Sequence, residues 1–157
     1  MTMKKPEYFR WILAVEAVGA LSGFLSREAT QQYAQTINKP PLSPPGFLFP
    51  VVWTVLYALM GIGAARIAAA PDSPAHSRAL NVFVVQLIVN FFWSLIFFNA
   101  QAFGFAFLWL VLLWVLIVTM IWLFSGVDAL AALLQIPYLL WVTFAGYLNY
   151  GVWQLNR

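Results

Sequence analysis

Five long stretches of apolar residues alternate with short polar segments along the chain. Each stretch matches the ~20 residues that a helix needs to cross a bilayer core of ~30 Å. They are apolar on all faces, without the alternation of period two that marks the strands of a membrane barrel. The pattern therefore predicts an all-α membrane protein, a single domain built as a five-transmembrane-helix bundle. The predicted helices cover residues 8–26, 47–69, 80–99, 102–124 and 130–153.

Composition supports this fold class. Of 157 residues, 63% are hydrophobic, and only eight basic and five acidic residues carry charge. A soluble domain usually has ~45–50% apolar and ~25% charged residues. The absence of cysteine excludes thiol catalysis, disulfide scaffolds and cysteine-based zinc sites.

The basic residues are distributed unevenly between the two sides of the predicted bundle. By the positive-inside rule this favours a cytoplasmic N-terminus, in a bacterial cell membrane. Without a basic patch of base-stacking geometry, nucleic acid is not an expected partner, and the lipid bilayer is. Five basic residues fall on the N-terminal side, namely Lys4, Lys5, Arg10, Arg66 and Arg78. Three fall on the other side, namely Arg27, Lys39 and Arg157.

The first connection, residues 27–46, is long and rich in proline. Each proline fixes φ and removes a backbone donor, so we expect a segment that is neither helical nor flexible. It is interpreted either as a lid over the mouth of the bundle or as a stiff spacer at the membrane surface. The residues assigned to the lid are Pro40, Leu42, Pro44 and Pro45.

Polar and aromatic side chains recur at helical spacing on three of the predicted helices. In hydrocarbon such groups face the bundle interior or a cavity. Together they predict an aromatic, mostly uncharged pocket for a large planar hydrophobic ligand. The alternative is that Gln86, Asn90 and Asn149 only form hydrogen bonds between helices. The predicted pocket residues are Trp53 and Tyr57; Asn90, Trp93, Ser94 and Phe97; and Tyr138, Trp141 and Ala145.

Small residues and one proline modify the helices. The Gly19/Gly23 and Gly61/Ala65 pairs permit close helix contact, either inside one chain or in a homodimer. Pro137 is expected to kink the fifth helix.

Motifs of known enzyme classes are missing. The single histidine, His76, lies in a predicted polar loop and has no second histidine or cysteine with which to bind a metal. Glu16 is the one carboxylate well inside a predicted span, as a structural hydrogen-bond partner or a proton-linked site. No metal and no cofactor is expected.

Four motifs resemble the signature of the tryptophan-rich sensory protein/translocator protein family, also called the peripheral-type benzodiazepine receptor family. They occur in order over nearly the whole chain: NKPPLSPP at 38–45, WTVLY at 53–57, QLIVNFFWS at 86–94 and PYLLW at 137–141. The resemblance implies a five-helix bundle, often dimeric, that binds porphyrins such as protoporphyrin IX, sterol-like lipids and benzodiazepine-type drugs. The match also includes Phe97-Phe98 and Phe144-Ala145. Carried over position by position, the resemblance implies a pocket lined by Trp53, Tyr57, Asn90, Trp93, Ser94, Phe97, Trp141 and Ala145.

Two departures from the family pattern affect the expected function. Leu42 stands where members usually have tryptophan, and Tyr33-Ala34 stands where they usually have a Trp-Tyr pair. Some bacterial members are linked to light-dependent porphyrin breakdown through such aromatics, so their loss weakens that expectation. Tyr150 is also too far from Arg157 for the loose sterol motif, so sterol recognition is not expected.

The sequence therefore favours a porphyrin-binding receptor or carrier over an enzyme. A light-dependent porphyrin-degrading enzyme and a structural or assembly partner in the membrane are the two alternatives.

Overall fold

The computed structural model describes residues 4–157, which form seven helices. All five membrane-spanning segments predicted from the sequence are present, and α6 and α7 together make the fifth. The last turn of α4 continues as a π-helical turn over Leu95–Asn99. The helices are α1 Tyr8–Leu25, α2 Arg27–Thr36, α3 Leu48–Ala69, α4 Pro74–Ser94, α5 Phe103–Ser125, α6 Ala129–Leu133 and α7 Ile136–Leu155.

The way the helices pack leaves an open seam in the bundle. Helix α1 lies on α3 and α4, α4 packs on α5, and α5 packs on both α6 and α7. Helix α3 contacts the short α6, but the backbone of α7 stays apart from α3 and α4 over most of its length. Large side chains therefore have to fill the space between α3, α4 and α7.

The prediction for the first connection was wrong in part, because the segment contains a helix. Residues Arg27–Thr36 form helix α2, although the whole segment 27–46 was expected to be non-helical. Its prolines begin only at Pro40, so the proline argument applies to residues after α2 and not to α2 itself. The segment before them consists largely of alanine, glutamine, glutamate and arginine, which are good helix formers.

The fifth span also differs from the prediction. Pro137 does not kink a continuous helix, because the helix is interrupted at Leu134 and Gln135 and restarts as α7. Pro137 then occupies the first turn of α7, where its missing N–H has no intrahelical partner to lose. The shorter α6 begins with Asp128 as its N-cap, whose carboxylate accepts from the Ala131 N–H at 2.9 Å.

Helix α4 begins earlier than predicted, at Pro74. Ser73 caps it by accepting from the backbone N–H of His76 at 3.1 Å. His76 therefore lies in the first helical turn and not in a loop, with its ring nitrogen Nε2 3.4 Å from the Ala68 carbonyl oxygen.

Two of the small residues bring α1 and α3 into close contact within one chain. The ring of Tyr57 covers Gly19, and a Cβ at Gly61 would lie 2.6 Å from Cα of Ile12. Gly23 has open space around it, so the GxxxG pair is only half used inside the bundle.

One ion pair ties the bundle together at the end where the chain begins. Arg66 of α3 binds Asp128 through two pairs of atoms, Nε to Oδ1 and Nη2 to Oδ2, each at 3.0 Å, and donates to the Tyr8 hydroxyl at 3.1 Å. Burial alone would raise the pKa of Asp128. The hydrogen bonds from Arg66 and from the Ala131 N–H outweigh it and hold that pKa below its ordinary value.

Candidate functional site

A chain of hydrogen bonds runs through the space between α3, α4 and α7. The Tyr57 hydroxyl donates to Asn90 Oδ1 at 2.7 Å, and Asn90 Nδ2 donates to the Tyr138 hydroxyl at 2.8 Å. The Tyr138 hydroxyl in turn donates to Gln86 Oε1 at 2.7 Å. All four side chains are buried. This chain satisfies polar groups that would otherwise be costly in a membrane interior, and it joins three separate spans.

Trp53 lies beside this chain, one turn from Tyr57 on α3. Its ring stacks on Tyr57 with a centroid separation of 5.4 Å and meets Tyr138 edge-on at 6.2 Å. The three rings therefore come from the predicted stripes of the second and fifth spans. They form an aromatic wall around the amide of Asn90.

Trp93 forms a second cluster nearer the end of the bundle that carries α2. Its indole N–H donates to Asn149 Oδ1 at 3.0 Å, and its ring stacks on Phe97 at 5.0 Å. Asn149 also donates to the Phe103 carbonyl at 2.9 Å, so α4, α5 and α7 meet here. Ser94 is half-buried next to Trp93. The π-helical turn begins at the next residue and carries Phe97.

Trp141 forms part of a groove of about 580 Å³ between α3 and α7. Its ring meets Phe49 at 5.9 Å and Phe144 at 5.6 Å, while its indole N–H is enclosed and has no hydrogen-bond partner among residues 4–157. Ala145, one turn further along α7, is buried in the same hydrophobic core as Tyr57 and Tyr138. The other groove residues are Val51, Val52, Val55, Leu56, Pro137, Leu140 and Phe144.

The nine predicted pocket residues thus fall into three groups. The central group is Trp53, Tyr57, Asn90 and Tyr138, joined by hydrogen bonds and ring contacts. Trp93 and Phe97 form the second cluster with Ser94 beside it. Trp141 lines the groove, and Ala145 is buried in the core one turn further along α7. The hydrogen bonds of Gln86, Asn90 and Asn149 confirm that these residues join helices.

The connection after α2 is held against α7. Asn38 and Asn156 form a reciprocal pair, in which the Asn38 N–H donates to Asn156 Oδ1 at 3.1 Å and Asn156 Nδ2 donates to the Asn38 carbonyl at 2.8 Å. Pro40 is buried against Gly151, where a Cβ would lie 2.6 Å from that of the proline. The Tyr147 hydroxyl donates to the Pro41 carbonyl at 2.7 Å.

The remaining lid residues are placed differently. Leu42 has a φ of 69°, in the left-handed region that a branched side chain rarely adopts, and its side chain is 80% exposed. Pro44 is half-buried and Pro45 is exposed.

Tyr33 on α2 fixes this end of the bundle from the other side. Its ring meets Phe97 at 5.5 Å and Phe98 at 5.2 Å, and the Lys39 ammonium lies 5.0 Å above it. Burial raises the pKa of Tyr33 to about 12. Tyrosine thus supplies an aromatic contact in the segment where the family usually has a Trp-Tyr pair.

Sequence reasoning missed Gln135. Its side chain is fully buried at the break between α6 and α7, and Nε2 donates to the Leu59 carbonyl of α3 at 3.1 Å. The signal was the position of a glutamine two residues before Pro137 inside an apolar stretch. No group of three or more His, Cys, Asp or Glu residues suited to a metal occurs in the part of the chain that the structure describes.

Comparisons with known proteins agree with this architecture. The TspO/MBR family is matched over residues 11–154. The chain is 39% identical to Protein CrtK of Rhodobacter capsulatus, over 93% of this chain and 90% of that protein. It is 38% identical to the tryptophan-rich protein TspO of Chlorobaculum tepidum, over 89% of both chains, and 32% identical to the translocator protein of Bos taurus, over 94% of this chain and 92% of that one. The chain is an integral multi-pass membrane protein and belongs to the TspO/MBR family.

Proposed function

We propose that the protein is a membrane receptor or carrier that binds porphyrins of the protoporphyrin IX type between α3, α4 and α7. The observation that carries the proposal is the groove of about 580 Å³ between α3 and α7, which Trp141 lines and which lies along the seam that Trp53 and Tyr138 share. Family membership supports a sensory or carrier role, because relatives are named tryptophan-rich sensory protein and translocator protein.

The chemistry of these side chains suits a flat, apolar ligand with a few hydrogen-bonding groups. Burying the ring faces against Trp53, Tyr57 and Trp141 contributes ~25 cal/mol per Å² of apolar surface removed from water. Each well-oriented aromatic pair adds ~0.5–1.5 kcal/mol. The indole N–H of Trp141, which has no partner among residues 4–157, would donate to a carbonyl or carboxylate group of the ligand. The groove volume of about 580 Å³ lies in the usual range of small-molecule sites.

Porphyrin binding is tested by comparing metal-free protoporphyrin IX with haem on the protein in detergent or liposomes. The single histidine lies at the start of α4, away from the aromatic centre, so no histidine is available there as an axial ligand. We expect saturable binding of the metal-free ring with equal or higher affinity than haem. A strong preference for haem, with an axial-ligand spectrum, would contradict the proposed site.

The site is proposed to bind without chemical turnover. Illuminating the protein–porphyrin complex and following the Soret band separates this from the light-dependent enzyme. We expect no loss of the band beyond that seen with heat-denatured protein at the same concentration. A loss that requires the folded protein would establish an enzyme instead.

The placement in the cell completes the proposal. From the uneven basic residues we propose that the N-terminus lies on the cytoplasmic side of a bacterial cell membrane. Gly23 and the neighbouring exposed face of α1 leave room for a homodimer.

We also propose that the first connection covers the mouth of the site as a lid, through Pro40, Leu42, Pro44 and Pro45.

A further inference from the structure

The segment that would cover the mouth of the site is fastened to α7 at several points. The Asn38–Asn156 pair, the Tyr147–Pro41 hydrogen bond and the buried contact of Pro40 with Gly151 hold it along one side of α7. Helix α2 is held in addition, because Tyr33 packs on two phenylalanines at the end of α4. A ligand that entered past this segment would have to displace it from these contacts.

The seam between α3 and α7 offers a different path. Their backbones stay apart over most of their lengths, and the groove between them is lined almost entirely by apolar side chains. Val55 and Leu140 on its walls are more than half exposed, which in the membrane means that they face lipid. Trp53 and Tyr138, which belong to the hydrogen-bonded centre, contact each other across the same seam.

Trp141 lies where this groove meets the interior. One side of its ring lines the groove, while the enclosed N–H has no acceptor among the described residues. A buried donor without a partner costs free energy, and a ligand that brings an acceptor recovers it. No other groove residue offers a side-chain hydrogen-bond donor.

From these observations we infer that the ligand reaches the aromatic centre sideways from the bilayer, between α3 and α7, with Trp141 as the gate. The inference rests on the proposed function and narrows its ligand class. The ligand is a flat, apolar molecule that is dissolved in the membrane and carries a hydrogen-bond acceptor. The segment fastened to α7 stays in place while the ligand passes.

The route is tested by stopped-flow tryptophan quenching with protoporphyrin IX on the full chain in liposomes. Val55→Phe narrows the groove and Val55→Ala widens it, without changing the number of tryptophans. Val115→Phe on α5 is the matched control, since Val115 is 50% exposed, Val55 is 54% exposed, and only Val55 lines the groove. The double variant Asn156→Ala/Tyr147→Phe, the loop variant, removes all three hydrogen bonds that fasten the segment to α7.

We expect Val55→Phe to slow both binding and release about tenfold and Val55→Ala to speed them, because both steps pass the groove. Val115→Phe and the loop variant should stay within about twofold of the unaltered protein. If the loop variant accelerates binding while the Val55 variants have no effect, the ligand passes the loop and the inference is wrong. If the unaltered protein shows no saturable quenching at all, the proposed function itself fails.

Discussion

Asn90 is the residue on which the centre of the bundle depends most directly. Its amide accepts from Tyr57 and donates to Tyr138, so one side chain joins α4 to both α3 and α7. Its position could be predicted, because an asparagine in an apolar stretch must face a polar partner and helical spacing identifies its face. Its two partners could not be predicted, since they depend on how three helices are rotated about their axes.

Replacing Asn90 by leucine should destabilise the protein. The Tyr57 hydroxyl loses its buried acceptor, and we expect a loss of about 1–2 kcal/mol of unfolding free energy, as for hydrogen bonds between membrane helices. Denaturant or thermal unfolding in detergent measures it. Asn81→Leu on the same helix is the control, since Asn81 is exposed. Equal effects of the two substitutions would show that the hydrogen-bond chain contributes nothing.

Asp128 makes the stability of the fold depend on pH in the acidic range. Because its pKa is lowered in the folded protein, its contribution to stability is complete above the unfolded value of ~3.9 and is lost as pH falls through the lower folded value. Asp128→Asn keeps a good N-cap but removes the charge paired with Arg66.

The variant should therefore lose stability at neutral pH and approach the unaltered protein at low pH. Thermal melts between neutral and strongly acidic pH test this. Asp72→Asn, at a carboxylate that is 85% exposed, is the control and should follow the unaltered protein. A constant difference between Asp128→Asn and the unaltered protein at every pH would mean that the ion pair is not its source.

At the scale of elements, the apolar stretches predicted all five spans to within a few residues except at the start of α4 and within the fifth span. Hydrophobic length decides where a chain can cross the bilayer, so the windows were informative. Hydrophobic length does not identify polar helices at the membrane surface, and α2 was missed for that reason. The break at Gln135 was missed because proline in the first turn of a helix and proline in its middle look alike in sequence.

The contact between α1 and α3 is tested by a matched pair of glycines. Gly19→Ala places a methyl group inside the ring of Tyr57, so Tyr57 must move and its bond to Asn90 is disturbed. We expect a loss of about 1–3 kcal/mol in stability, as for other overpacked interiors. Gly23→Ala, four residues on, meets open space and should be neutral or slightly stabilising. If Gly23→Ala destabilised the protein more than Gly19→Ala, the prediction would be contradicted, as would happen if Gly23 lay in a dimer interface.

The loop is tested as a lid at Leu42. Leu42→Trp restores the aromatic residue usual in the family and adds apolar surface beside the mouth, so porphyrin affinity should rise through slower release. Leu42→Ala controls for the removal of leucine. If Leu42→Trp leaves both the porphyrin affinity and the release rate unchanged, the loop is a spacer and not a lid.

At the scale of the whole molecule, the five spans form a bundle with one weakly packed seam along α7. Composition predicted that the chain lies in a membrane, and the polar stripes predicted which faces turn inward. The seam itself was beyond sequence reasoning, because it arises from the order in which the helices pack around one another. Aromatic side chains of α3 and α7 meet across the seam, and the groove along it opens at the outer surface of the bundle.

The central claim is that these side chains form a binding site for a porphyrin. A quenching titration with metal-free protoporphyrin IX on two tryptophan variants tests it most directly. Each variant removes one indole: Trp141 lines the groove, whereas Trp122 on α5 is 73% exposed and does not line it. We predict saturable quenching of the unaltered protein, an affinity lowered about tenfold or more by Trp141→Phe through lost stacking and hydrogen bonding, and no change for Trp122→Phe. Equal affinities of the two folded variants, or quenching that never saturates, would contradict the account.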